Sequence, residues 1–403
     1  VTTVPVVGTA ASIPVPAAPS PRPPDRRGSP IPTGAMIATR LMELRKRRGL
    51  MVTLMLVTIG FPTVFLLIRL LLHAVAPHSY GPAGGYDIYT ALVSGVLYVF
   101  GFIVAATLGA TAGSIDLTEG MFRHLVVTGR SRVALYLARI PAGLAIIVPL
   151  VAAGFTIVCA VCVFAAPTRL NYNGVNVPVN LSRAGLASWA EAHADEVICN
   201  FGFKVGPSSP QGSTIAAAAN SVPCGNGPGG PVTINQPPGS QPLPQASQAQ
   251  IREAAGVIAR MDYSDYTRQF LSPSDSLMIK SGLWLELEAV IGFVVGLGFG
   301  SLIGQRTVAV ILMIVLEVVI TPILSRARIP HLLNLQRAVV GLATAHLTPG
   351  GLPVLGGGGG GPGSSGGNPR LLPESTTVAV CVIVAWLVVW SVLGAWRMTT
   401  RDA

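Results

Sequence analysis

Six stretches of the chain are almost continuously apolar: residues 50–75, 88–112, 136–166, 283–303, 308–324 and 376–396. A helix crosses a bilayer with roughly 17–25 mostly apolar residues, so the pattern predicts an all-α integral membrane protein with six transmembrane helices. The third stretch is long enough to tilt. Its Pro141 and Pro149 each lack a backbone donor, which predicts a bend rather than a straight rod. Between the third and fourth stretches, residues 167–282 are polar and form a large expected extracytoplasmic loop. Residues 183–198 and 246–270 read as helical there, and 205–245 between them is rich in Gly, Pro, Ser, Gln and Asn.

The remaining segments follow from the same pattern. Residues 1–34 carry Pro14, Pro16, Pro19, Pro21, Pro23, Pro24, Pro30 and Pro32, and are expected to be a disordered cytoplasmic tail. From 35 to 48, Ile37, Leu41 and Leu44 fall on one helical face, with Arg40, Arg45 and Lys46 directed toward anionic headgroups. This interfacial helix and the first three transmembrane helices make up 35–166, with a cytoplasmic connection at 113–135. Residues 283–403 hold the last three helices, with a glycine-rich outer connector at 349–369. The run 329–347 ahead of that connector is too polar for a span and reads as an interfacial or re-entrant helix.

Composition agrees with a membrane protein. Half of the residues are hydrophobic and 11% are charged, against about one quarter charged in a soluble domain. A net charge of +10 raises nucleic acid as a partner, but the basic residues gather beside the spans. Arg45–Arg48, Arg123, Arg130, Arg132, Arg139, Arg306, Arg397 and Arg401 all fall on one side of a six-span chain, the cytoplasmic side by the positive-inside rule. Both termini are therefore expected in the cytoplasm and the chain in the cytoplasmic membrane, with no nucleic-acid role. Arg326, Arg328 and Arg337 run against this count. The first forty residues contain no apolar core, so the first span is expected to serve as the insertion signal. The preference for arginine over lysine fits a GC-rich bacterial genome.

Few residues offer chemistry. Glu317 stands near the middle of the fifth span, where an ionised carboxylate facing lipid is expensive, so it is a candidate intramembrane polar site that faces protein or water. Arg69 and His73, near the outer end of the first span, can snorkel to the interface. Cys159, Cys162 and Cys381 read as small apolar residues within spans, whereas Cys199 and Cys224 share the outer loop and are candidates for a disulfide. No metal-ligand spacing accompanies them. No paired carboxylates or His/Cys cluster stand at helical spacing within the spans, and Ser, His and Asp gather in no catalytic motif, so the chain is not expected to be an enzyme. A Walker sequence is absent, and no cofactor is expected in this chain.

The densest pattern lies between the second and third spans, from Asp116 to Arg132. Asp116 with Glu119 three residues later resembles a capping box, and Gly129 suits a left-handed closing position, so a short helix is expected over about 117–127. Leu117, Met121, Leu125 and Val126 give it an apolar face.

This segment, with Glu119-Gly-Met-Phe-Arg123, Gly129-Arg-Ser-Arg132 and Tyr136-Leu-Ala-Arg139, resembles the membrane subunit of type-2 ABC transporters, the export-type permease family. The resemblance covers about residues 35–400. It implies that 117–127 is a coupling helix docking on a separate ATPase subunit, with Glu119 and Arg123 as polar contacts and Met121, Phe122 and Leu125 as apolar ones. It also implies an interfacial helix at 35–48, an outer re-entrant region at 329–347, and pairing with a second permease copy or a related permease. ATP would be bound by the partner subunit. The large loop after the third span departs from the family, whose common members have it short. It supports an alternative: a non-transporting scaffold whose outer loop binds a cell-envelope partner. A proton-driven transporter is a third reading, carried by Glu317.

Overall fold

The computed structural model describes residues 29–76, 83–118, 131–166, 245–261, 272–326, 333–349 and 375–400, most of 169–200, and single positions around 215–222, 263–266 and 352. After a short helix α1 (Gly34–Lys46) come three long apolar helices, α2 (Arg48–Val75), α3 (Tyr86–Ile115) and α4 (Arg132–Phe164). A hairpin of β1 (Arg169–Tyr172) and β2 (Val175–Pro178) follows, then α5 (Arg183–Ala192), α6 (Ala194–Asn200) and α7 (Gln248–Met261). The chain ends with α8 (Asp275–Ile303), α9 (Arg306–Ser325), two short helices α10 (Leu333–Arg337) and α11 (Val340–His346), and α12 (Thr376–Thr400). Six of these helices are long and apolar enough to cross a membrane.

Helix α8 is the centre of the bundle. Two thirds (67%) of its most apolar stretch is buried, against 22% for α2 and α9 and 17% for α12. The outer helices therefore present Val52, Leu67, Ile311, Val384 and Val388 outward, each about half exposed or more. Contiguous apolar surface on that scale requires apolar surroundings. The closest crossing joins α8 to α3, which run in the same direction. Gly292, Gly296 and Gly300 stand four residues apart on α8, and an ideal side-chain carbon at Gly296 or Gly300 would lie 2.6 Å or 2.5 Å from the carbonyl oxygen of Ala106 or Ala110. Gly113 on α3 returns the contact toward Leu297. Small residues at this spacing let two backbones touch.

Proline shapes the helices without ending them. Pro62 and Pro322 have no N–H for the carbonyls of Thr58 and Val318, four residues back, and π-helical turns at Leu56–Gly60 and Val315–Ile320 include those carbonyls. In α4 the regular helix is interrupted at Ala138, directly after Leu137, whose carbonyl Pro141 cannot satisfy; Pro149 lies inside an unbroken helix. A third π turn, Leu92–Leu97, lies in α3. Helix α8 starts at Ser274, whose hydroxyl accepts from Leu277 N, and closes on Gly304 at φ 74°, the left-handed position that glycine tolerates.

The polar segment after α4 contains a folded unit of its own. Helix α7 places Ile251, Ala254, Ala255, Ile258 and Ala259 on one stripe, which packs on Leu186 and Ala190 of α5 and Val197 and Ile198 of α6. The β1–β2 hairpin, in register from Arg169 opposite Pro178 to Tyr172 opposite Val175, adds a small antiparallel element to the otherwise helical architecture. Tyr266 fastens the hairpin's end by donating to the Pro178 carbonyl at 2.5 Å and accepting from Leu181 N at 3.2 Å. Burial pushes its phenol above the ordinary value of 10.

Candidate functional site

The helices bury two carboxyl groups, Glu288 and Glu317, in the middle of the bundle. Glu317 lies in the π turn of α9, and Tyr98 directly follows the π turn of α3; such turns favour functional positions because they re-aim one side chain without breaking the helix. The Tyr98 hydroxyl donates to Glu317 Oε1 at 2.5 Å. Glu288, on α8, lies close enough for its charge to interact with both, with the Thr344 hydroxyl of α11 beside it. Glu288 is 2% exposed and Glu317 4%.

The inserted pair α10–α11 covers this cluster. An ideal side-chain carbon at Gly341 would stand 2.5 Å from Glu317 Oε2 and 2.6 Å from the Thr321 hydroxyl, so only a bare backbone fits there. Three side-chain donors hold the pair in place: Trp284 Nε1 to Thr344 O at 3.2 Å, Trp386 Nε1 to Ala338 O at 2.7 Å, and Gln336 Nε2 to Leu324 O at 3.3 Å. Trp284 also stacks on Tyr98, with ring centroids 5.0 Å apart. Glu317 lies eight residues before Ser325, the last residue of α9, so the pair reaches about 12 Å into the bundle at the helical rise per residue.

Glu317 was singled out by the cost of a carboxylate in an apolar helix, and the structure surrounds it with protein. Glu288 escaped the same argument although it too stands in an apolar run. Its partnership crosses between helices, where spacing within one helix gives no sign of it.

A second polar cluster occupies the end of the bundle that carries α1. Arg139, 2% exposed, donates to Gly113 O at 3.2 Å, and the Ser301 hydroxyl approaches the same carbonyl at 3.5 Å. Arg40 pairs with Glu43 at 2.6 Å beside a cavity of about 10 Å³ lined also by Leu44, Ala112, Ile115 and Arg139. This corrects one expectation. The buried face of α1 is Met36, Arg40 and Leu44, so Arg40 turns inward to a carboxylate instead of outward to headgroups. Arg139 is likewise an interior residue.

The expected coupling helix falls largely outside the described residues: Glu119, Met121, Phe122, Arg123 and Leu125 all do. Its expected start is described and differs. The regular helix runs on past Ile115 through Asp116 to Thr118, so the backbone at Asp116 lies within a helix and not at the start of one. Cys199 is disulfide-bonded, while Cys159, Cys162 and Cys381 carry free thiols. Cys224, its expected partner, lies outside the described residues, as does most of the 349–369 connector. No group of three or more His, Cys, Asp or Glu side chains suited to a metal ion occurs among the described residues. Comparison of the chain with protein-family models, curated proteins and solved structures finds no match.

Proposed function

We propose that this chain is the membrane-spanning permease subunit of an ATP-driven exporter of the type-2 ABC kind, working with a separate ATPase subunit and a second permease. The observation that carries the reading is the inserted pair α10–α11 between the fifth and sixth long helices, in the region that the sequence resemblance assigns to an outer re-entrant element. Helix α1, packed across the start of α4 through Met36, Ala134, Leu135 and Ala138, supports it from the opposite end. The chain has no Walker sequence of its own, so ATP would be bound elsewhere. Work from ATP can reach the spans only through contacts that differ between two states of the motor. The segment holding Glu119 and Arg123 is the proposed contact, and Arg139, anchored on Gly113 and thus on α3, ties its two flanking helices together.

Expression with a candidate ATPase tests the reading. The subunit should co-purify, and Glu119→Ala with Arg123→Ala should release it while the permease stays folded. Transport that proceeds without any nucleotide-binding partner overturns it.

A scaffold reading is favoured by one observation: the unit of β1–β2 and α5–α7 has its own apolar core, including Leu186, Ile198, Ile251 and Ile258. On that reading the unit binds a cell-envelope partner and the spans anchor it. Its deletion would then abolish function while leaving any ATPase association intact.

A further inference from the structure

Among the described residues neither Glu288 nor Glu317 forms an ion pair, and Glu288 Oε1 and Glu317 Oε2 have no hydrogen-bond partner. Among the described residues no cation pairs with them, although α10 carries Arg337 and α11 carries His346. Helix α3 contributes Tyr98, α11 contributes Gly341 and Thr344, and α12 contributes Ala379 and Ile383 to the adjoining apolar layer. Buried charges persist only when paired, and two carboxyl groups sharing a site do not both ionise. Tyr98 occupies one oxygen of Glu317. Each of the two free oxygens lacks a donor, and protonation of its carboxyl removes a buried charge that nothing else offsets.

We propose that Glu288 and Glu317 form a proton-binding site beneath α11, where protonation neutralises buried carboxyl groups that no cation offsets. On binding, hydronium gives up its proton, an O–H bond forms on one carboxylate, and water is left behind. On release two like charges face each other beneath Gly341 and Thr344, and the inserted pair lifts to admit water. Proton occupancy and docking of α11 are thus linked, each biasing the other by the same coupling. This inference does not depend on an ATPase partner.

The full chain in lipid nanodiscs provides the test. Infrared titration should show a carboxylic-acid C=O band that disappears with rising pH and is missing from the Glu288→Gln/Glu317→Gln double variant. Hydrogen-exchange protection over 340–346, corrected for the intrinsic pH dependence of amide exchange, should fall with rising pH in the wild type and stay constant in Glu317→Gln. An identical acid band in wild type and double variant overturns the proposal, as does a sodium-dependent shift of the carboxylate bands at fixed pH, which would assign the pair to a metal cation. If the variants fail to fold, the wild type decides alone: protection over 340–346 that, after correction for intrinsic exchange, is indifferent to pH excludes the linkage.

Discussion

The hydroxyl of Tyr98 donates to Glu317 across 219 positions of the chain, tying the second long helix to the fifth at 2.5 Å. Both residues are buried, so neither finds water as a substitute. Tyr98→Phe keeps the ring on Trp284 and removes only the donor. Leaving a buried acceptor unsatisfied costs about 1–3 kcal/mol. The variant is expected to lose thermal stability in detergent by that amount, whereas Glu317→Gln, whose amide oxygen still accepts from Tyr98, should lose less. Equal stability of Tyr98→Phe and wild type would show that the bond contributes nothing.

The α3–α8 crossing makes a sharper demand on side-chain size than on chemistry. Gly296→Ala places a carbon against the Ala106 backbone, which cannot rotate away as a side chain would. Overpacking of this kind costs typically 1–3 kcal/mol, about enough to lower the yield of folded protein markedly. Gly101→Ala is the matched control, because nothing lies within 4 Å of its added carbon. Folded yield by size-exclusion chromatography should fall for the first and hold for the second; the reverse order would mean that the crossing is not the tight one.

The loop unit gives a covalent test. With Cys199 bonded and Cys224 expected as its partner, peptide mapping without reductant should recover a 199–224 link. Closing a loop of roughly that length contributes about 3 kcal/mol through the unfolded chain. Cys199→Ser is therefore expected to expose the α5–α7 unit to proteolysis while the six long helices remain protected. Recovery of Cys224 as a free thiol would reject the pairing.

The sequence makes the apolar helices legible because twenty apolar residues in a row have few other uses. Glu317 was legible for the same reason. The face of α1 was not: periodicity chose Ile37, Leu41 and Leu44, and the structure buries Arg40 because Glu43, three residues on, pairs with it. The glycines of α8 were in plain view at four-residue spacing, yet only the partner helix tells that they mark a contact. Glu288 shows the deeper limit. A pair formed between helices leaves no periodic trace in either, so nothing in the α8 sequence distinguishes a lone carboxyl from half of a site.

Alkaline pH should loosen the loop unit before the helical bundle. Tyr266 is neutral when protonated, and burial holds its phenol above the ordinary value of 10 in the folded unit. The folded state therefore keeps the proton longer than the unfolded chain does. That contribution to stability is fully present below the unfolded value and is lost as pH rises through the folded one. Ionisation would also remove the O–H that Tyr266 donates to Pro178. Wild-type protein is expected to show faster proteolysis of the 169–266 region above about pH 10, and Tyr266→Phe, which has no proton to lose, should be weaker at neutral pH but flatter across that range. An unchanged alkaline limb in the variant would place the sensitivity on another group.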